Sequence, residues 1–180
     1  MKNTGIVRRI DSLGRIVIPK EIRKTLRMRE SDMLEIYIGQ EKEIIFKKYS
    51  PIVAIAPFAE NCAKLLSKEI SMPVLISGRE KVIAVAGAPK RNFLGEKISK
   101  ELETLIENRK NFCLQQTPTK SLSPIENSSQ EAEIALPIIA NGDVEGSLIV
   151  LKSSNSDQNL SNALKLATFS VKFLNSNIEN

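Results

Sequence analysis

One stretch limits what this chain can fold into: Gly14 to Lys24, GRIVIPKEIRK. A single helix cannot run through it. Ile16, Val17 and Ile18 are β-branched and favour a strand. Pro19 follows, and proline suits the first position of a helix, where its missing N–H costs nothing. The order is therefore a short strand, a proline stop and a helix over 19–27. Ahead of it, Asp11-Ser12-Leu13-Gly14 is turn chemistry: an aspartate can bond its own backbone two residues on, and glycine accepts positive φ. At about 3.6 residues per turn, Lys20, Arg23, Lys24 and Arg27 share one face of the helix, with Ile22 and Leu26 opposite. One side can pack on a core while the other presents cations. Arg8, Arg9 and Arg15 lie just before it. The six positions Arg8, Arg9, Arg15, Lys20, Arg23 and Lys24 are the candidate DNA-binding residues.

Charge placement favours a polyanion partner. Residues 1–50 hold 12 Lys+Arg against 7 Asp+Glu, a net +5, while residues 51–180 hold 14 of each, a net 0. A basic module joined to a neutral one points to a nucleic-acid-binding head on a differently employed body. Aromatic residues make up 4% of the chain, which argues against base stacking on single strands and for duplex DNA. The plainer alternative, a merely solvated charged face, stays open for Arg27 and Arg29. No apolar run reaches the roughly 18 residues of a membrane span, and MKNTGIVRRID has no signal-peptide core, so a cytoplasmic, nucleoid-associated protein with no membrane partner is expected. The chain has no histidine, which removes His-based triads and imidazole ligands. No Walker loop, no G-x-G-x-x-G and no Cys/His cluster occurs. Glu101, Glu103 and Glu107, with Lys97 and Lys100 nearby, read as surface charge. The expectation is a non-enzyme with no catalytic residue, no metal and no cofactor. Cys62 and Cys113 read as reduced core thiols.

The first fifty residues read β-β-α-β-β: strands at 4–10 and 14–18, the basic helix, a polar turn at 29–32, and strands at 33–38 and 43–48 around Gly39-Gln40-Glu41-Lys42. Leu34, Ile36 and Ile38 share one strand face. A unit this small holds little core, and with no disulfide or metal to staple it, dimerisation is the expected remedy.

The runs TGIVRRIDSLGRIVIPKEIRKTLRM and DMLEIYIGQEKEIIFKKYSP closely resemble the N-terminal domain of the AbrB-like transition-state regulators. The resemblance implies a SpoVT-AbrB-type domain: a dimeric, interlaced swapped-hairpin β-barrel made by two chains exchanging strands. It also implies that the basic residues at Arg8, Arg15, Arg23 and Lys24 contact double-stranded DNA. The last position is often arginine in the family; lysine keeps the charge and loses the bidentate fork.

Tyr49-Ser50-Pro51 marks the boundary, giving a DNA-binding domain over 1–50, a linker or start of a connecting helix over 51–56, and a second domain over 57–180. Pro57 leaves two options: a helix kinked near Val53–Pro57, or one that starts afresh at Pro57. Strands are expected at 73–76 and 81–86, a helix at 95–109 and a short strand at 112–116. Residues 117–131, TPTKSLSPIENSSQE, form a long polar segment, either a mobile lid or plain disorder. Asn141-Gly142 between apolar runs is a hairpin, with strands 134–140 and 144–151. Pro137 points to an edge or bulge. In a last helix, 157–178, Leu160, Leu164, Ala167, Val171, Leu174 and Ile178 form an a/d seam.

The order helix, strands, helix, strands, helix, with PIIANGDVEGSLIV as its central hairpin, resembles a GAF domain. The fold class is then α+β: the swapped-hairpin AbrB-type barrel followed by a GAF-like α/β domain. Taken with the AbrB-like head, the resemblance implies a transcription regulator of sporulation genes, activator or repressor, whose second domain either senses a small molecule or binds nothing and only oligomerises. The resemblance also implies self-association, as a dimer through the N-terminal domain and a homotetramer through the C-terminal helices. The competing reading is an antitoxin-like protein-interaction module built on the same N-terminal fold. The neutral, patterned second half counts against it, since antitoxins usually carry a short acidic tail.

Overall fold

A computed structural model describes residues 5–28, 30, 32–114, 121–126, 128–153 and 160–179. The chain divides into two compact units, Met1–Tyr49 and Ser50–Asn180. Among the described residues, no helix is long and apolar enough to cross a membrane.

The first unit holds α1 (Lys20–Thr25) and a hairpin of β1 (Leu34–Ile38) and β2 (Ile44–Lys48). The hairpin register pairs Leu34 with Lys48, Ile36 with Phe46 and Ile38 with Ile44. This gathers Ile36, Phe46, Ile38 and Ile44 on one face, and every one of them is exposed. Ile38 is 86% exposed and Val7 85%. Two of the expected strands are not formed. Around the turn between 5–10 and 14–18, Asp11 N–H donates to the Arg15 carbonyl at 3.0 Å, but no strand forms on either side. A strand exists only where a neighbouring strand takes its N–H and C=O groups in register, and no such ladder forms along these residues. The turn is in place without its ladder.

The helix also stops two residues earlier than its periodicity suggests. Arg27 adopts φ +50°, with its N–H bonded to the Lys24 carbonyl and the Met28 N–H to the Arg23 carbonyl. That double closure is a Schellman end, normally built on glycine. Arginine at that position hides it from the sequence.

The second unit is a five-stranded antiparallel sheet in the order β4-β3-β7-β6-β5. Its strands are β3 (Val74–Gly78), β4 (Val82–Ala86), β5 (Phe112–Cys113), β6 (Ala132–Ala140) and β7 (Asp143–Leu151). Helices α3 (Ala56–Ile70) and α5 (Leu160–Glu179) cover one face over Val74, Ile76, Leu148 and Val150. Helix α4 (Lys100–Glu107) covers the other, over Leu75, Ile149 and Leu151. With both faces covered, every residue of β3 is buried. Asn141 and Gly142 both take positive φ, the signature of a type I′ turn matching the strand twist. Pro137 lies on β6 beyond the two residues that β5 pairs, so its missing N–H falls on an open edge. Ser77 and Ser147 exchange a buried hydrogen bond of 2.7 Å between β3 and β7.

The connection at 51–57 is a restart. A short α2 (Pro51–Ala54) ends at Ile55, and α3 begins at Ala56 with Pro57 in its first turn. There a missing N–H leaves no gap, which removes the reason to kink. The polar segment before β6 is packed rather than loose over its described part. Leu122 and Ile125 are buried, Ile98 bridges Ile125, and Ser99 Oγ donates to the Ser123 carbonyl at 2.6 Å. Residues 115–120 and 127 lie outside the described residues, as do 157–159 at the expected start of the last helix. Of the predicted seam on α5, Ala167, Val171 and Leu174 are buried, Ala163 joins them, and Leu160, Leu164 and Ile178 are half-buried. Cys62 and Cys113 are buried thiols outside any disulfide.

Candidate nucleic-acid interface

The site is built on two local structures of the first unit. The first is the turn at 11–15. Asp11 Oδ1 accepts the backbone N–H of Leu13 at 2.9 Å and of Arg15 at 2.8 Å. Its Oδ2 accepts Arg15 Nε at 2.7 Å. Gly14, at φ +75°, donates its N–H to the Asp11 carbonyl, a conformation that strains any residue with a Cβ. The Arg15 N–H, and after it the Arg15 guanidinium, hold the Asp11 carboxyl below its usual range.

The second structure is α1. Pro19 is its buried N-cap, and the Arg23 N–H reaches the Pro19 carbonyl at 3.0 Å. Lys20, Arg23 and Lys24 stand at i, i+3 and i+4, so the helix brings them onto one exposed face. Arg27 is not on that face; it lies past the helix end in the left-handed turn. Ile22, on the opposite side, is half-buried, and Leu26 is exposed. Arg8 and Arg9 are exposed on the segment before the turn. Among the described residues, Arg8, Arg9, Lys20, Arg23 and Lys24 have no ion-pair partner, whereas Arg15 has Asp11. The arrangement offers spaced cations to a polyanion, plus one guanidinium with a fixed direction.

Two acidic residues of this surface have roles that sequence reasoning misses. Asp11 reads there as a turn former only; the i, i+4 spacing to Arg15 is the clue that it also holds a side chain. Asp32 pairs with Lys48 at 3.1 Å, and Lys48 Nζ also donates to the Arg27 carbonyl at 3.2 Å. That lysine ties β2 to the turn after α1, a structural use of charge.

The second unit carries an open cleft of about 670 Å³ lined by Pro73, Gly87, Phe93, Glu96, Glu126 and Gln130, among others. It also leaves Leu65 on α3 and Phe169 and Phe173 on α5 exposed. The Phe58 and Phe173 rings meet at a tilt of 48°, 5.1 Å between centroids.

Comparison with known proteins covers both units. Residues 54–179 match the family described as stage V sporulation protein T C-terminal, transcription factor. Residues 7–53 match the family described as antidote-toxin recognition MazE, bacterial antitoxin. The chain is 41% identical over 158 residues to stage V sporulation protein T of Bacillus subtilis, covering 87% of this chain and 88% of that one. It is 59% identical to the N-terminal DNA recognition domain of the regulator AbrB of the same organism, covering 28% of this chain and 94% of that one at a TM-score of 0.25. A GAF domain/HD domain protein from Geobacter sulfurreducens matches at a TM-score of 0.52 and 11% identity, covering 71% of this chain and 93% of that one. That likeness identifies the fold of the second unit as GAF-like. The chain belongs to the stage V sporulation protein T family of transcription factors, with an AbrB-type N-terminal domain.

Proposed function

We propose that this member of the stage V sporulation protein T family regulates sporulation genes by gripping duplex DNA with a head made from two copies of residues 1–50. The carrying observation is the set of exposed cations on the 11–15 turn and α1, in a unit whose apolar residues are also uncovered. A partner copy that buries Ile36, Ile38, Ile44 and Phe46 would pair the strandless segments at 5–10 and 14–18, as the interlaced swapped-hairpin barrel requires. The AbrB relative is a DNA recognition domain by its own description, and the cations at Arg8, Arg9, Arg15, Lys20, Arg23 and Lys24 are the residues we assign to the contact.

Residues 57–180 then set the oligomer and receive a signal. Exposed Leu65, Phe169 and Phe173 on α3 and α5 support pairing of two dimers into a tetramer. Two heads on one assembly raise avidity by effective concentration when the DNA sites are suitably spaced. A small molecule in the cleft beside Phe93 and Glu96 changes transcription, as activation or repression, only by binding two arrangements of the heads unequally. The setting is cytoplasmic and nucleoid-associated.

The test is DNA binding across a salt series for the wild type and Arg23→Ala/Lys24→Ala. Each phosphate contact contributes roughly −0.9 to the slope of log K against log salt, so the double variant is expected to bind far more weakly with a shallower slope. Equal binding and equal slopes would move the basic face from DNA to solvent or to a protein. The match of residues 7–53 to a MazE antitoxin family favours that second reading, a protein-interaction module. Co-purification of a small toxin protein, lost in the same double variant, is its expected result.

A further inference from the structure

We propose that Asp11 is a positioning residue that makes Arg15 a reader of the guanine edge rather than one more phosphate contact; the inference rests on the DNA-binding reading above. Five hydrogen bonds close residues 11–15, and Asp11 takes part in all of them. Oδ1 serves the backbone alone, through the N–H groups of Leu13 and Arg15. Those bonds, with the two backbone pairings, already shape the turn. Oδ2 does something else: it takes Arg15 Nε at 2.7 Å and so fixes the guanidinium rather than the chain. The pair is exposed, with the Arg15 side chain at 72%, and exposed pairs add little stability. Its consequence is direction.

A guanidinium has five N–H donors in a rigid fork. With Nε occupied, the end edge formed by Nη1 and Nη2 remains, and among the described residues it has no partner. That edge matches two acceptors side by side. The O6 and N7 of guanine in the major groove are such a pair, and so are two oxygens of one phosphate. Charge separates the two. Phosphate affinity comes from neutralising backbone charge, and a carboxylate at 2.7 Å cancels most of the far field of Arg15. Lys20, Arg23 and Lys24 carry no such carboxylate and are the better phosphate contacts. Only a contact that needs orientation more than net charge gains from Asp11. Base readout needs orientation, because the wrong base presents a different donor and acceptor pattern along the same edge.

The experiment is selection from a pool of duplexes with a randomised core, using full-length wild type, Asp11→Asn, Asp11→Ala and Arg15→Lys. The selected sequence is then remade with 7-deazaguanine, which lacks the N7 acceptor. Wild type is expected to enrich a fixed guanine and to lose about ten-fold in affinity at the 7-deaza position, within the range of one bidentate pair. Asp11→Asn keeps the side-chain volume and an oxygen for the turn. It is expected to gain binding to unselected duplex, since the net charge rises by one, and to lose most of the guanine preference. Asp11→Ala should do the same, and Arg15→Lys should lose the same preference by losing the fork. Enrichment of the same guanine with the same strength by Asp11→Asn overturns the proposal. So does a wild type indifferent to 7-deazaguanine, which would return Arg15 to the phosphates. Loss of all duplex binding by Asp11→Asn while Arg15→Lys still selects the wild-type sequence overturns it as well. Failure of the wild type to bind any duplex in the pool overturns the DNA reading and this one together, a result distinct from the other three.

Discussion

The two units use the same kinds of residue to opposite ends. In the second, Val74, Leu75 and Ile76 of β3 are fully buried because helices lie on both faces of the sheet. In the first, Ile36, Ile38, Ile44 and Phe46 are just as apolar and just as regularly alternated, and all are exposed. Residues 50–180 bring enough chain to enclose a core, while residues 1–49 bring one hairpin and a short helix. Burial scales with chain length, and a unit this small encloses little by itself. The difference teaches that good β patterning fixes which residues want burial, not whether one chain can bury them. The second unit encloses its own core; the first leaves its apolar side chains uncovered.

That contrast can be broken most forcefully from inside the second unit. Gly146 on β7 faces Gly78 on β3, and a Cβ there would run into the Ser77 carbonyl oxygen, which the strand ladder holds in place. Gly146→Ala is expected to destabilise the second unit by roughly 3 kcal/mol, the upper part of the overpacking range, read as a lower urea midpoint by circular dichroism. A midpoint unchanged from wild type would mean that the sheet is looser than its burial implies.

The next effect falls on the first unit. Ile38→Asp removes an apolar side chain that is exposed in one chain and, in the proposed dimer, covered. Its burial is worth about 1.5–3 kcal/mol, so the variant is expected to dissociate the head and lose DNA binding. The thermal transition of the second unit should stay where it was. DNA binding undiminished by Ile38→Asp would show that this face meets nothing.

The smallest effect sharpens the picture of the second unit as a closed system. Glu60 on α3 accepts hydrogen bonds from Lys90 and Lys64, which bring its pKa from 4.5 down to about 2. The folded value lies below the unfolded one. The stabilisation is therefore present above about pH 4.5 and is lost as the pH falls through about 2. Glu60→Gln should flatten the melting temperature across that window, with a small loss at neutral pH and none near pH 2, because an ion pair at the surface adds little. An acid profile identical to wild type would mean that the bonds to Lys90 and Lys64 contribute nothing in solution.

Much of the candidate site is legible in the sequence. Pro19 after a β-branched run places the start of α1, and the spacing of Lys20, Arg23 and Lys24 places their shared face. Local rules carry that information, because a helix face depends only on residues a turn apart. The Asn141-Gly142 turn and the alternation of β1 are readable for the same reason. What escapes depends on unusual residues in common roles. Arg27 ends a helix where glycine normally would, and Asp11 holds a side chain as well as a turn.

The sequence by itself determined the basic head on a neutral body, the order of elements in the second unit and the family to which the chain belongs. These follow from composition, periodicity and motif, which are written locally along the chain. Only the tertiary structure decided that Leu122 and Ile125 pin a polar segment to the core, that Ala163 joins the buried stripe of α5, and that segments 5–10 and 14–18 form no strand. Each of those depends on what lies across space. Burial and strand pairing are relations between distant residues, and no local pattern states whether the other member is present.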